Sequence, residues 1–287
     1  MKPISEADLI LNPDGSIYHL NLRPEDLAGT VITVGDPDRV EAVSKYFDRI
    51  ELKKGKREFI THTGCIGAKR ITVISTGIGT DNIDIVLNEL DALVNIDFST
   101  RLPKNQLTSL ELIRIGTSGT LQPDIPVDSV LVTEYALGLD ALMHYYQQDT
   151  DADEDELLSA VRDHLNIPGI APYLTKTSSE LLEKAGKGFL RGITVTAPGF
   201  YAPQGREVRA RNRVPGLIGR LSSFRLRDHR ITNLEMETAG IYALAKALGH
   251  RALSVNAILA NRVQFEFSQH PEIIVDETIR AVLNNLA

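Results

Sequence analysis

The chain has 287 residues, with 31 Lys and Arg against 38 Asp and Glu, for a formal net charge of −7. That balance leaves no basic excess to displace counterions from a phosphate backbone, which weighs against nucleic-acid binding. The single cysteine, Cys65, excludes an internal disulfide and any zinc site built on paired thiolates. No apolar run of membrane-span or leader length is present, so a reducing cytoplasm and no membrane partner are expected.

Short β-branched runs alternate with helical patterns along the chain. Residues 30–34 (TVITV) read as a buried strand, followed by G-D-P-D-R-V and a helix through Tyr46. Residues 70–75 form a second strand, entering G-I-G-T and a helix over 81–94. There Ile83, Val86, Leu87, Leu90 and Leu93 recur at helical spacing. Residues 112–115 and 129–133 are further strands, the first entering the loop G-T-S-G. Residues 149–156 (D-T-D-A-D-E-D-E) hold six acids and no base, which leaves the rest of the chain nearly neutral. This stretch reads as a solvated helix start over 154–165 or as an insertion. Strands at 190–196 and 253–259 and helices at 236–248 and 271–286 complete the pattern. Strand, glycine turn and helix in repetition predict an α/β fold: a single domain over 1–287, three-layered, with a central mixed sheet flanked by helices and residues 1–17 as an N-terminal extension.

In such folds ligands bind beyond the carboxyl ends of strands. Three glycine segments stand there: Gly35-Asp-Pro-Asp-Arg39, Gly77-Ile-Gly79-Thr80 and Gly116-Thr-Ser-Gly119. Glycine lets backbone N–H groups approach a ligand, and Arg39 and Arg114 add planar forks suited to phosphate oxygens. The sum is a phosphate cradle without a P-loop, since G-x-x-x-x-G-K-[ST] is absent and Asn82 stands where a dinucleotide fold needs its third glycine. The seven histidines show no metal-ligand spacing, and no serine sits in a G-x-S-x-G elbow. Glu235 and Glu237 flank Met236. At a strand end they would point the same way, where a carboxylate can hold sugar hydroxyls.

Read together, Y18-H-L, G35-D-P-D-R-V40, R57-E-F59, S75-T-G-I-G79, R114-I-G-T-S-G119, F200-Y-A-P-Q-G-R206, E235-M-E237 and N261-R262 resemble the nucleoside phosphorylase superfamily, and within it the uridine-cleaving branch. The resemblance implies phosphate binding by Gly35, Arg39, Arg114 and Thr117, with Arg57 lent by a neighbouring subunit. It implies ribose binding by Thr117, Glu235, Met236 and Glu237, with His19 contributed across the interface. It implies base binding by Phe200, Gly119, Gln204 and Arg206, with Arg262 in support. Arg39, Arg114, Thr117 and Arg206 are then the catalytic set.

A glutamine amide can meet both an acceptor and the N3–H of uracil while a guanidinium donates to O4, so cytosine would leave groups unpaired. Hexameric purine-cleaving relatives carry Ser-Asp where this chain has Asn261-Arg262, which argues against a purine. The implied activity is reversible phosphorolysis of uridine to uracil and ribose 1-phosphate, in pyrimidine salvage. Phosphate serves as co-substrate and no cofactor or metal is required. A potassium site of some relatives maps to Glu58 and Asn82, and the departure Thr80-Asp81-Asn82 weighs against it. The partner implied is another copy of the chain, in a hexamer rather than a dimer. Deoxyuridine, thymidine or a purine nucleoside as substrate, and a catalytically silent binder, stand as alternatives.

Overall fold

The computed structural model describes residues 2–286. In chain order the elements are β1 (Thr30–Val34), α1 (Pro37–Ser44), β2 (Arg49–Lys56), β3 (Phe59–Ile66), β4 (Lys69–Ser75), α2 (Thr80–Asn95), β5 (Ile96–Asp97), β6 (Leu102–Pro103), β7 (Glu111–Thr120), β8 (Val130–Gly138), α3 (Ala152–Leu165), β9 (Tyr173–Lys176), α4 (Ser179–Ala185), β10 (Leu190–Thr196), α5 (Leu217–Ser223), β11 (Arg225–Leu226), β12 (His229–Glu235), α6 (Thr238–Leu248), β13 (Arg251–Asn261), β14 (Glu266–Phe267) and α7 (Pro271–Leu286).

The main sheet is mixed and runs β11-β12-β10-β8-β13-β7-β1-β4-β3-β2. β1, β4, β7 and β13 are parallel neighbours, whereas β8 runs antiparallel to β13. β12 lies parallel to β10 and also pairs antiparallel with β7 through Asn233–Thr120 and Leu234–Gly119. Strands β7, β13, β8, β10 and β12 therefore close into a ring, so the central mixed sheet includes a small barrel with β1, β4, β3 and β2 as a projecting arm. β1 is buried at every position, as a run of β-branched residues between two sheet neighbours should be.

Helices cover both faces. On one, α2 buries Ile83, Val86, Leu87, Leu90 and Leu93 against α6, in a cluster that also takes in Leu9 and Ile17 of the N-terminal segment. On the other, Val40 and Val43 of α1 and Ile279, Val282 and Leu283 of α7 pack on β1, β4 and β13. A third cluster places Leu157, Leu158 and Val161 of α3 and Leu217 and Leu221 of α5 against the outside of β8, β10 and β12.

The acidic run is the helix start expected of it, exposed at every residue except Glu154. Asp151 caps α3 in a capping box with Glu154: the Asp151 carboxylate accepts from the Glu154 amide, and the reverse bond also forms, both at 2.8 Å. Glu154 is itself buried, accepting from the Lys246 ammonium at 2.7 Å and the Lys176 amide at 2.8 Å. Glu154 alone of the run clasps α3 to β9 and α6.

Gly116-Thr-Ser-Gly119 departs from the loop expected of it. It is not a loop; it lies within β7, paired to β13 and, at Gly119, to β12. Gly116 is required there because a Cβ would overlap the guanidinium of Arg114, which folds back over it.

Candidate active site

A cavity of about 680 Å³ opens at the carboxyl ends of β1, β4, β7, β12 and β13. It is lined by Gly35, Arg39, Arg114, Thr117, Gly119, Phe200, Gln204, Arg206, Glu235, Met236 and Glu237, eleven of the fourteen residues expected to form the site. Arg262, one of the other three, stands directly behind, with its Cγ facing Gly119.

One end of the cavity is built on the barrel and the helices it feeds. Asp36 caps α1, accepting from the Asp38 amide, so Arg39 leaves the first turn of that helix towards the cavity. Its guanidinium makes no ion pair or side-chain hydrogen bond among the described residues. Burial first, and then the nearby Arg114, press its pKa below the ordinary arginine value. Arg39 thus presents an unpaired guanidinium to the cavity, suited to an anion.

Arg114 is 5% exposed. Its Nη2 lies 2.6 Å from Glu237 Oε2 and 3.0 Å from Glu235 Oε2, while Nη1 donates to Asn256 Oδ1 at 2.7 Å. Burial alone would depress its pKa, but the two carboxylates outweigh it and raise it.

Glu235 ends β12 and its carboxylate accepts from the amides of Glu237 and Thr238, capping α6, and from Thr196 Oγ1 at 2.6 Å. Glu237 is the residue before α6, and its Oε1 accepts from the Gly79 amide at 2.9 Å. Gly79 can aim that amide because it stands at φ 98°, a conformation side chains resist. Burial raises the pKa of Glu237, partly opposed by Arg114 and reinforced by Glu235. The two carboxylates do face the same way, as their spacing suggested, and they meet on one guanidinium.

The other end is a loop. Phe200, Gln204 and Arg206 lie between β10 and α5, around one turn of 3₁₀ helix over Ala202–Gln204. Arg206 Nη1 donates to Gln204 Oε1 at 2.6 Å and to the Phe200 carbonyl at 2.7 Å, and its guanidinium carbon sits 3.8 Å over the Phe200 ring. Arg262 Nη2 donates to the Gln204 carbonyl at 3.1 Å, while its Nη1 is buried with no partner among the described residues. Burial and then Arg262 pull the Arg206 pKa down to about 10.

Arg57 and His19 do not line this cavity. Arg57 is exposed at the tip of the β2–β3 hairpin with φ 56°. His19 is held at its Nδ1 by Glu89, 2.6 Å away, with the His19 and Leu20 amides donating to the same carboxylate. Glu58 and Asn82 do line the cavity beside Gly77, and no cluster of three or more His, Cys, Asp or Glu side chains suited to a metal occurs among the described residues.

Sequence reasoning did not single out Ile78, Leu234, Leu259, Ala260 or Phe267, which complete the wall. Their only signal was position at a strand end, shared with many core residues. Phe267 is 60% exposed and reaches the mouth only because β14 folds back on β13.

A cavity with an unpaired arginine at one end, buried carboxylates held by a second arginine between, and an amide–guanidinium edge at the other suits transfer of a sugar between a ring base and an oxyanion. The chain belongs to the phosphorylase superfamily, whose family model matches residues 30–286. Within it the chain is a nucleoside phosphorylase, a glycosyltransferase. A uridine phosphorylase from Thermococcus kodakarensis is 32% identical over 266 residues, covering 90% of this chain and 82% of its own. The crystal structure of a Trypanosoma brucei nucleoside phosphorylase, described as showing uridine phosphorylase activity, superposes with a TM-score of 0.89 at 30% identity, covering 97% of this chain and 99% of its own. A DeoD-type purine nucleoside phosphorylase from Geobacillus kaustophilus is 26% identical over 274 residues, covering 91% of this chain and 98% of its own. No helix is long and apolar enough to cross a membrane among the described residues.

Proposed function

We propose that this nucleoside phosphorylase cleaves uridine reversibly with inorganic phosphate, giving uracil and ribose 1-phosphate, as one functional unit over 1–287 in the cytoplasm. The reading is carried by the cluster Gln204–Arg206–Arg262 at one end of the cavity. Arg206 fixes the orientation of the Gln204 amide, because a guanidinium only donates and must face Oε1. Gln204 Nε2 is then presented as a donor, and Oε1 keeps a second lone pair for an N–H. Uracil offers O2, N3–H and O4 to such an edge.

As the C1′–N1 bond loosens, the sugar gains oxocarbenium character and the base gains negative charge. Phosphate between Gly35, Arg39, Arg114 and Thr117 stabilises the first, and Arg206 and Gln204 stabilise the second. Glu237 and Glu235 hold ribose hydroxyls. Positioning and fixed charge supply the acceleration, so the reaction needs no cofactor or metal. A purine leaving group would be helped by an acid near its imidazole ring. The acids in the lining (Asp36, Glu58, Glu235 and Glu237) all belong to the phosphate and sugar end, which favours a pyrimidine.

The test is a spectrophotometric panel of uridine, deoxyuridine, thymidine, inosine and methylthioadenosine, with and without phosphate. Phosphate-dependent loss of uridine is expected, and turnover of purines alone would replace the reading. A homo-oligomer, a hexamer in preference to a dimer, is proposed to complete each site with Arg57 and His19 of a neighbour, consistent with their lying off this chain's own cavity. Mixing inactive Arg57→Ala and Glu237→Ala enzymes should then regain activity through hybrid sites. No recovery despite proven subunit exchange would refute sharing.

A further inference from the structure

The loop that carries the base end of the cavity leaves the sheet at one residue. Thr196 is the last residue of β10, opposite Glu235 at the end of β12 and Gly138 at the end of β8. Its carbonyl accepts from the Leu139 amide at 2.9 Å, and the next amide, Ala197, donates to the Glu235 carbonyl at 2.9 Å. Phe200 follows in the same loop. The Thr196 side chain is fully buried and is no part of the cavity wall.

The Thr196 hydroxyl has two partners and one direction. The Ala239 amide, in the first turn of α6, lies 2.8 Å away and can only donate. Thr196 Oγ1 is the acceptor there, so its single proton goes to its other neighbour, Glu235 Oε1, at 2.6 Å. The same carboxylate accepts from the Glu237 and Thr238 amides and lies 3.0 Å from Arg114 Nη2. Glu235 and Thr196 together thus satisfy three successive amides, 237 to 239, where α6 begins. Glu237 is carried on that helix start, and Arg114 is held between the two carboxylates.

We propose that Thr196 is a positioning residue for phosphorolysis: it ties the root of the base-end loop to the Glu235–Arg114–Glu237 set and so holds the two ends of the cavity in one register. The proposal rests on reading the cavity as the phosphorolysis site, and it adds to that reading the residue that joins its ends. Besides Arg114 and Glu237, the groups that face Glu235 are Tyr173 on β9, itself bonded to Asp140, and Tyr242 on α6. Arg39 faces Glu237. Burial holds both phenols above their ordinary pKa, so they stay neutral through the acid range.

The pH dependence of steady-state kinetics tests it. Thr196→Val keeps the shape of the side chain, removes its proton and leaves the Ala239 amide without an acceptor. It should lower kcat/KM on the order of 10-fold, as loss of one hydrogen bond to a charged group does. The acid limb of kcat/KM should also move to higher pH, because a donor to a carboxylate favours its ionised form and that donor is gone. Thr196→Ser keeps the hydroxyl and should restore most of both. In Glu235→Gln the group that Thr196 acts through has lost its charge, so adding Thr196→Val should raise the limb no further. A residue that only filled the core would lower the melting temperature in Thr196→Val and leave the limb in place. Thr196→Ala, which removes the same bonds with less bulk, decides if Thr196→Val does not fold. Wild-type kcat/KM in the folded variant, an unmoved limb, a Thr196→Ser enzyme as impaired as Thr196→Val, or an equal rise of the limb in the Glu235→Gln background would overturn the proposal. The series uses whichever nucleoside the wild-type enzyme cleaves, so a wrong substrate assignment shows in the wild type alone.

Discussion

The two ends of the cavity are built differently. At the phosphate and sugar end, Arg114, Glu235 and Glu237 are each about 5% exposed or less, stand on strands or at a helix start, and have their polar atoms engaged by one another or by backbone amides. At the base end, Phe200 is 51% exposed, Arg206 is half-buried, and both hang on a segment with a single 3₁₀ turn. The first is preorganised by the sheet and varies only at structural cost. The second is a loop that can change its hydrogen-bond edge without disturbing the core. Relatives named for uridine and for purine nucleosides at comparable coverage fit that division.

The comparison can be broken most sharply at Arg114. Arg114→Ala strands two buried carboxylates, so it should cost about 3–5 kcal/mol of stability as well as activity; urea unfolding that leaves the midpoint unmoved would show the sugar end to be no part of the frame. Arg206→Ala is the counterpart. It should cut kcat/KM by on the order of 10²-fold with thermal stability nearly unchanged, and a parallel fall in melting temperature would erase the distinction between the ends.

The smallest expected effect is in pH dependence. Because burial, helped by Glu235, raises the Glu237 pKa above its ordinary 4.5, the carboxylate is lost early on acidification. The acid limb of kcat/KM should then lie above pH 4.5. Glu235→Gln removes the like charge and should move the limb to lower pH, whereas Arg206→Ala should leave it in place. An unmoved limb in Glu235→Gln would uncouple the two carboxylates.

Much of this was legible in the residues. TVITV announced β1, the spacing of Ile83 to Leu93 announced α2, and Glu235 and Glu237 two apart announced a shared direction. Strand β2 of the β2–β3 hairpin was not legible: five of the eight residues in R-I-E-L-K-K-G-K are charged and none is buried, so it has no buried face to give it a period. Gly116-Thr-Ser-Gly119 was misread because glycine signals a turn, and here it answers a side chain two residues back that needs the room. Closure of the barrel was also hidden, since it joins segments more than a hundred residues apart and leaves no local pattern.

That closure has a consequence in time. The pairing of Asn233 with Thr120 is a contact of long sequence separation, of the sort whose loop-closure entropy is paid late in folding. Thr117, Ser118 and Gly119 on one side of it and Leu234 and Glu235 on the other are walls of the cavity. A growing or half-folded chain can thus own every catalytic residue and still have no place to bind. A ligand bound across this seam therefore stabilises the closed barrel over any state in which β12 has left β7.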